Sequence, residues 1–374
     1  MLWDIFCRVI DNYGDIGVSW RLCADLAARG ERVRLWVDDA SALQWMAPGA
    51  LQGRWPAIQV LAWARSTDSH TLQSLPAADV WIETFGCDIP QGFVAHHAHP
   101  ARRPARPTWI NLEYLSAEPY VERSHGLRSP VMQGPARGWS KIFFYPGFTT
   151  RTGGLLREPD LMVWPAQPSD ADGTDLSVLL GAAPDLGSEA ALLVSLFCYE
   201  PALLRAALDQ WAALPNPVQL LVTHGRAANA VRALAGAQTV MGSLHIRYLP
   251  ALSQLDYDQL LRSCDINFVR GEDSVIRALW AGKPFVWHIY PQADGAHTAK
   301  LEAFLEQLQL SPAVRSLHRA WNGLLPQQDG TAALQALQLP ALAPWQQEVQ
   351  AARARLLKLA DLGSQLLECV QKNR

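Results

Sequence analysis

The fold is decided by residues 3–17, which read WDIFCRVIDNYGDIG. The first eight of them are apolar residues and β-formers that predict a strand, and a loop over 11–17 follows. Apolar positions then recur at helical spacing until Gly30, a natural residue to end a helix. Residues 32–37 alternate like a second strand. Strand, helix and strand in this order predict a βαβ unit, which favours a parallel sheet with a ligand at the carboxyl ends of its strands.

The rest of the chain repeats this pattern. Short strands are predicted at 80–82 and 109–112, and the Gly- and Pro-rich region 134–185 is predicted to be irregular. From Ala191 a second series of alternating strands and helices begins. The pattern predicts an N-terminal domain over 1–160, a linker over 161–185, a second domain over 186–344, and a helix over about 345–374 that joins the first domain. Two doubly wound Rossmann-like domains facing across a cleft, with a helical C-terminus, describe an α/β fold of the GT-B type.

Composition excludes several classes of protein. Of the 374 residues, 49% are hydrophobic and 18% charged, so the chain can bury two cores and is not disordered. A formal net charge of -3 argues against a protein that binds nucleic acid through phosphate contacts. The six cysteines form no Cys-x-x-Cys pair, which indicates a reduced compartment without a zinc site. No apolar run reaches the roughly 18 residues of a membrane span. We therefore expect a cytoplasmic protein without a membrane partner.

The loop after the first strand is one candidate site. Asp11 and Asp15 are spaced four apart, and Gly14 and Gly17 would let the backbone approach a ligand closely. The following helix offers free N–H groups at its start. Asp15 could instead be an N-cap, and a full G-x-G-x-x-G fingerprint is missing. On its own, the loop indicates only a possible site.

A second candidate loop follows a predicted strand in the second domain and reads NFVRGEDS over residues 267–274. The guanidinium of Arg270 suits a diphosphate, and Gly271 removes side-chain bulk. The N–H groups at the start of the next helix would face an anion. The alternative is again structural, with Asp273 or Ser274 as a cap and Arg270 in an ordinary ion pair.

At these residues the chain resembles the EarP family, the protein-arginine rhamnosyltransferases that modify bacterial elongation factor P. The resemblance rests on residues 3–22 and on 268–274 with its continuation over 280–292. Shorter similar stretches are 83–87, 111–115 and 195–200. The resemblance implies transfer of L-rhamnose from dTDP-β-L-rhamnose to an arginine of elongation factor P, with inversion at the anomeric carbon. The modified factor then helps ribosomes through polyproline stretches.

The resemblance also implies roles for individual residues. Asp11 and Asp15 correspond to the catalytic carboxylates, and the acceptor would meet Tyr13, Gly14, Ile16, Gly17 and Glu113 in the N-terminal domain. The donor would bind in the C-terminal domain to Phe197, Tyr199, Gln254, Arg270, Gly271, Glu272, Asp273, Ser274 and Tyr290. Ala251 departs from the family, which often has an aromatic residue there. No cofactor or metal is expected, since dTDP-β-L-rhamnose is a co-substrate.

The chemistry of the acceptor agrees with paired carboxylates. A guanidinium is always protonated, so it needs one carboxylate to orient it and another to take its proton. We expect Asp15 to be the base and Asp11 to orient the acceptor, although the two roles could be exchanged. Arg270 and the helix N-terminus could stabilise the leaving diphosphate without a metal. The alternatives are another GT-B sugar-nucleotide enzyme, such as an epimerase or a transferase onto a small acceptor, and a non-catalytic binder of elongation factor P.

Overall fold

The structure is a computed structural model, and it describes residues 1–10, 13–99, 106–158, 191–292 and 294–373. These residues form two compact units. One contains the described residues up to 158 together with those from 358 onward, and the other contains 191–357. The predicted linker over 161–185 lies outside the described residues.

The first unit is built on a seven-stranded sheet in the order β3-β2-β1-β4-β5-β7-β6, in which every neighbouring pair is parallel except β6 with β7. Its strands are β1 (Leu2–Cys7), β2 (Arg32–Val37), β3 (Ile58–Ala62), β4 (Val80–Thr84), β5 (Thr108–Leu112), β6 (Arg128–Pro130) and β7 (Ser140–Phe144). Its helices up to residue 158 are α1 (Gly14–Ala28), α2 (Leu43–Met46), α3 (Ser69–Ser74), α4 (Gln91–Ala98) and α5 (Pro119–Ser124).

Strand β1 shows why this sheet has helices on both faces. All six of its residues are buried, as expected for a central parallel strand. Trp3 and Ile5 lie in one hydrophobic core with residues of α1, whereas Leu2 and Phe6 lie in a second core with Trp81. The order of the strands reverses direction between β1 and β4, at the centre of the sheet. A doubly wound sheet binds its ligands at this switch point.

The second unit is built on a six-stranded sheet in the order β10-β11-β9-β8-β12-β13, parallel except for the pairing of β10 with β11. Its strands are β8 (Leu192–Leu196), β9 (Val218–Val222), β10 (Val240–Met241), β11 (Leu244–Tyr248), β12 (Ile266–Arg270) and β13 (Phe285–His288). Its helices are α6 (Leu204–Ala212), α7 (Arg226–Ala235), α8 (Gln254–Ser263), α9 (Glu272–Ala281), α10 (Ala296–Leu308), α11 (Pro312–Trp321), α12 (Gln327–Ala333) and α13 (Leu339–Leu356). Here the switch point lies between β8 and β12.

The C-terminal segment differs from the expectation of one helix over about 345–374. Helix α13 ends at Leu356 in the second unit, and a separate helix, α14 (Leu362–Lys372), belongs to the first. The break has a local cause, because the side chain of Asp361 accepts a hydrogen bond from the Ser364 N–H at 2.8 Å and so caps a new helix. Arg29 of α1 contacts the Asp361 carboxylate at 2.7 Å. Apolar residues recur at helical spacing on both sides of the break, so the sequence pattern does not reveal that the helix is interrupted.

A second correction concerns the region that was predicted to be irregular from residue 134. Strand β7 lies within it and pairs in parallel with β5, placing Asn111 beside Phe143. In the described part of the chain, no helix combines the length and the apolar character that crossing a membrane requires.

Candidate functional site

The carboxyl edge of the first sheet holds Asp15 in a defined position. Its carboxylate is only 2% exposed. One oxygen accepts the backbone N–H of Ile10 at 2.9 Å, and the other accepts the hydroxyl of Tyr114 at 3.2 Å. Helix α1 begins at Gly14, with Tyr13 as its N-cap residue and no side-chain capping bond. Asp15 is therefore not the N-cap that the sequence left as an alternative.

Two aromatic residues that the sequence did not assign to the site form a stack, and one of them, Tyr114, contacts Asp15. Tyr114 follows β5, and its ring stacks on Phe85 at 4.7 Å between centroids and 22° between planes. Phe85 follows β4 and has a φ of 55°, in the left-handed region that non-glycine residues rarely adopt. Their position directly after two predicted strands was the available signal, because strand ends form the edge where ligands bind.

The other residues predicted to meet the acceptor lie around the same edge. Glu113 accepts a hydrogen bond from the Asn111 amide at 2.7 Å, and burial raises the pKa of its carboxyl, although this bond opposes the shift. Tyr13 is 39% exposed and contacts Trp45 edge to face. Gly14, Ile16 and Gly17 belong to α1 rather than to a loop, and the side chain of Ile16 is buried in the core. Asp11 lies outside the described residues.

The carboxyl edge of the second sheet is built around Arg270, the last residue of β12. Its side chain is 8% exposed, and Nη1 is buried without a hydrogen-bond partner in the described part of the chain. The guanidinium lies over the rings of Phe197 and Tyr199, with its carbon 4.6 and 4.8 Å from their centroids. A buried cation of this kind, stacked on aromatic rings and lacking an acceptor, suits an anionic ligand.

Helix α9 follows Arg270 and begins the way the sequence predicted for an anion site. Gly271 is its N-cap residue with a φ of 72°, and it contributes no side chain. The first backbone N–H groups of the helix therefore have no side-chain cap from this residue. Glu272 forms an ion pair with Lys300 of α10, and Ser274 is buried in the first turn beside Asp273. Neither Asp273 nor Ser274 is the N-cap residue.

The remaining predicted donor residues lie on neighbouring loops of this edge. Gln254 is the first residue of α8, which follows β11. Tyr290 follows β13, is 50% exposed, and meets Tyr199 edge to face at 5.5 Å. The structure thus brings the residues after β8, β12 and β13 together, with Tyr199 at their centre.

Three residues of this edge, His288, Arg226 and Glu200, were not assigned to the site from the sequence. His288 ends β13, and its ring meets the ring of Tyr199 edge to face with 5.2 Å between centroids. Its pKa is lowered to about 3, chiefly by burial. Arg226 begins α7 with its guanidinium carbon 4.8 Å from the Tyr199 ring, and it pairs with Glu200. The signal for Arg226 was its place after a predicted strand and Gly225. Among the described residues, no group of three or more His, Cys, Asp or Glu side chains is arranged to hold a metal ion.

Taken one unit at a time, the geometry defines a class of protein. Two Rossmann-like sheets, each with its candidate residues at the carboxyl edge, are the components of a GT-B glycosyltransferase. The solved structure of glycosyltransferase VinC in complex with dTDP shows the same fold at 12% identity, with a TM-score of 0.53 and 99% of each chain covered. The predicted GT-B fold is therefore confirmed.

The particular family follows from closer similarities. The model of the family described as elongation factor P (EF-P) rhamnosyltransferase EarP matches residues 3–371. A protein-arginine rhamnosyltransferase of Pseudomonas putida is 44% identical over 338 residues, which cover 86% of each protein. A solved structure described as the structural basis for EarP-mediated arginine glycosylation of translation elongation factor EF-P is 32% identical, with a TM-score of 0.65, and covers 100% of this chain and 99% of that one.

The chain belongs to the EarP family. It is a glycosyltransferase of the protein-arginine rhamnosyltransferase class, which confirms the resemblance inferred from the sequence.

Proposed function

We propose that this enzyme transfers L-rhamnose from dTDP-β-L-rhamnose to a guanidinium nitrogen of one arginine of elongation factor P, with inversion at the anomeric carbon. The observation that carries the proposal is the carboxylate of Asp15, buried at the switch point of the first sheet with both oxygens held by donors. A fixed and poorly hydrated carboxylate is suited to binding and deprotonating a guanidinium. Family membership supports the choice of sugar and of acceptor.

The reaction needs one proton acceptor and one stabilised leaving group. A nitrogen of the acceptor arginine attacks the anomeric carbon and forms the C–N bond. Its proton passes to Asp15, with Asp11 orienting the guanidinium, or the two aspartates exchange these roles. The bond between the anomeric carbon and the diphosphate oxygen breaks, and dTDP leaves with the electron pair. Attack from the face opposite the diphosphate inverts the anomeric configuration.

The second unit supplies the donor site in this proposal. Arg270 has a buried nitrogen that requires an acceptor, and a diphosphate oxygen can provide one. The start of α9 adds backbone N–H groups and the positive end of the helix dipole. These groups can stabilise the negative charge that develops on the leaving diphosphate, so we expect activity without a metal or another cofactor. Phe197, Tyr199, Gln254 and Tyr290 would hold the nucleotide and the sugar.

The acceptor would place the enzyme in the cytoplasm, beside the translation machinery. There the modified factor would assist ribosomes at polyproline stretches. Neither nucleic acid nor membrane is a partner in this proposal.

Intact-mass measurement of purified elongation factor P tests the reaction directly. Incubation with this enzyme and dTDP-L-rhamnose should add one deoxyhexose, and fragmentation should locate it on an arginine. UDP-glucose and GDP-mannose serve as control donors. Absence of any mass gain, in a preparation that binds dTDP, would overturn the proposed acceptor. Mass gain with UDP-glucose but not with dTDP-L-rhamnose would overturn the proposed donor.

A further inference from the structure

The edge of the second sheet contains a second arginine that neither the sequence nor the family resemblance assigned. Arg226 is the first residue of α7, directly after Gly225, whose φ is 92°. Its guanidinium carbon lies 4.8 Å from the centre of the Tyr199 ring, the same distance as that of Arg270. Tyr199 itself is 3% exposed. One buried aromatic ring thus brings together two cations, one at the start of α7 and one at the end of β12.

The two arginines differ in their partners. Arg226 makes a two-pronged contact with the carboxylate of Glu200, with Nε 2.8 Å from one oxygen and Nη2 bonded to the other. Arg270 has no carboxylate partner in the described part of the chain, and its Nη1 lacks any acceptor. Glu200 is the residue after Tyr199, and it lies on the solvent-exposed side of the same cluster.

The charges in this cluster fall short of what a diphosphate requires. Two arginines and one glutamate leave a single net positive charge. The nearby His288 adds none near neutral pH, because burial lowers its pKa to about 3. The bridging diphosphate of a nucleotide sugar is doubly negative. Two positive charges face the diphosphate when Arg226 leaves Glu200 for the ligand and the exposed Glu200 carboxylate turns into solvent, where water screens it.

We propose that Arg226 is a second diphosphate-binding residue of the donor site, and that Glu200 holds it in the absence of ligand and releases it when a nucleoside diphosphate binds. The inference rests on the proposed donor class. Arg226 would exchange one bidentate anion for another, because the geometry of its fork suits phosphate as well as carboxylate.

The exposure of the ion pair makes this exchange easy. The side chain of Arg226 is 42% exposed and that of Glu200 is 54% exposed, whereas Arg270 is almost fully buried. An ion pair in contact with water contributes little to stability, so breaking it costs little. The released guanidinium would remain close to Tyr199 and therefore close to Arg270. Glu200 would then act as an internal competitor of the ligand.

Opposite effects of two substitutions test this role. Isothermal titration with dTDP should give a Kd about tenfold higher for Arg226→Met, since a charged hydrogen-bonding partner is lost. Glu200→Gln should lower the Kd about threefold, because the competing carboxylate is gone. The double variant should bind like Arg226→Met alone. Arg226→Lys should recover part of the affinity, which also covers the case in which Arg226→Met does not fold.

The control pair is Arg205 and Asp209, an exposed ion pair on α6 of the same unit. Arg205→Met and Asp209→Asn should leave the Kd for dTDP unchanged. Weaker binding in Glu200→Gln would overturn the inference, because it would mean that the ion pair only supports the loop. Unchanged binding in Arg226→Met would overturn it as well. Failure of the unaltered enzyme to bind dTDP would instead overturn the proposed donor itself, so the two failures are distinguishable.

Discussion

Asp15 in the first unit and Arg270 in the second are both charged residues buried at the carboxyl edge of a parallel sheet. Their exposed fractions are similar, 2% and 8%. Their hydrogen bonds differ. Both oxygens of Asp15 accept bonds from the chain itself, from the Ile10 backbone and the Tyr114 hydroxyl. Nη1 of Arg270 has no acceptor among the described residues.

This difference indicates what each edge does before a substrate arrives. The position of Asp15 is fixed by its own unit, which is useful for a group that must take a proton in a defined direction. Arg270 is held by aromatic rings, while a buried nitrogen lacks its partner, at a cost of about 1–3 kcal/mol. An anionic ligand would recover that cost. In the proposed reaction, the first edge would thus be prepared for chemistry and the second for binding.

The largest expected effect comes from Asp15→Asn. The amide keeps the size of the side chain but cannot accept a proton, so we expect the rate of rhamnosyl transfer to fall about a thousandfold. The Kd for dTDP should stay unchanged, because Asp15 belongs to the first unit. Single-turnover assays and titration calorimetry measure the two quantities.

Asp39→Asn is the matched control for that change. Asp39 is a solvent-exposed carboxylate that follows β2 in the same unit, and its side chain accepts a hydrogen bond from the nearby Ser41 backbone N–H at 2.8 Å. Its substitution should leave the rate intact. A similar loss of dTDP binding and of transfer in Asp15→Asn would show that Asp15 is structural and that the contrast between the edges is wrong.

Arg270→Met should give the next largest effect, and it should change the Kd for dTDP more than the rate of transfer. Methionine keeps apolar contact with Phe197 and Tyr199 but removes the charge, so the Kd for dTDP should rise about ten- to a hundredfold. The maximal rate at saturating donor should fall less than in Asp15→Asn. If the Kd for dTDP is the same in Arg270→Met as in the reference variant Arg205→Met, Arg270 does not bind the diphosphate.

Tyr114→Phe should sharpen the assignment of the catalytic base. Loss of the hydroxyl removes one donor to Asp15, and we expect kcat to fall about fivefold. If Asp15 is the base, its carboxylate is less stabilised and the acid limb of the rate profile moves to higher pH. An acid limb that does not move would assign the base to the other aspartate of the loop. Tyr248→Phe is the control, since that hydroxyl is buried without a hydrogen-bond partner in the described residues.

The elements that the sequence predicted best are those with a purely local signal. Strand β2 is an alternating run bounded by polar residues, and it begins and ends at the predicted residues 32 and 37. Strand β5 begins one residue before the predicted run 109–112 and ends with it. Strand β7 was not predicted, because Pro146 and Gly147 follow it closely and are typical of a loop. Its stability comes from pairing with β5, a contact that no local pattern encodes.

The same limit applies to the candidate sites. Loops that follow strands could be identified from their order along the chain, which is how Asp15 and Arg270 were selected. The contacts around these loops could not be identified in this way, because Tyr114 is 99 residues from Asp15 and Arg226 is 26 residues from Glu200. Only the fold brings such residues together.

The smallest expected effect concerns Asp25, a second buried aspartate on α1, which is 1% exposed. One of its oxygens accepts Arg29 Nε at 2.9 Å, whereas the other has no partner among the described residues. Burial raises its pKa to about 7, against the opposing effect of Arg29. The folded chain therefore binds a proton here that the unfolded chain releases near pH 4, so this group stabilises the fold at low pH and loses that contribution as pH rises through about 7.

Asp25→Asn should abolish this pH dependence, because the amide stays neutral. We expect its Tm to exceed that of the unaltered enzyme by about 2 °C at pH 8, with the difference shrinking as the pH falls and gone only below about pH 4. Asp209→Asn, which alters an exposed carboxylate, should show no such trend. A Tm that falls at pH 8 would mean that the ion pair with Arg29 outweighs burial. Asp25 would then resemble Asp15, a carboxylate that its own unit fully stabilises, and the distinction between the two aspartates of α1 would be lost.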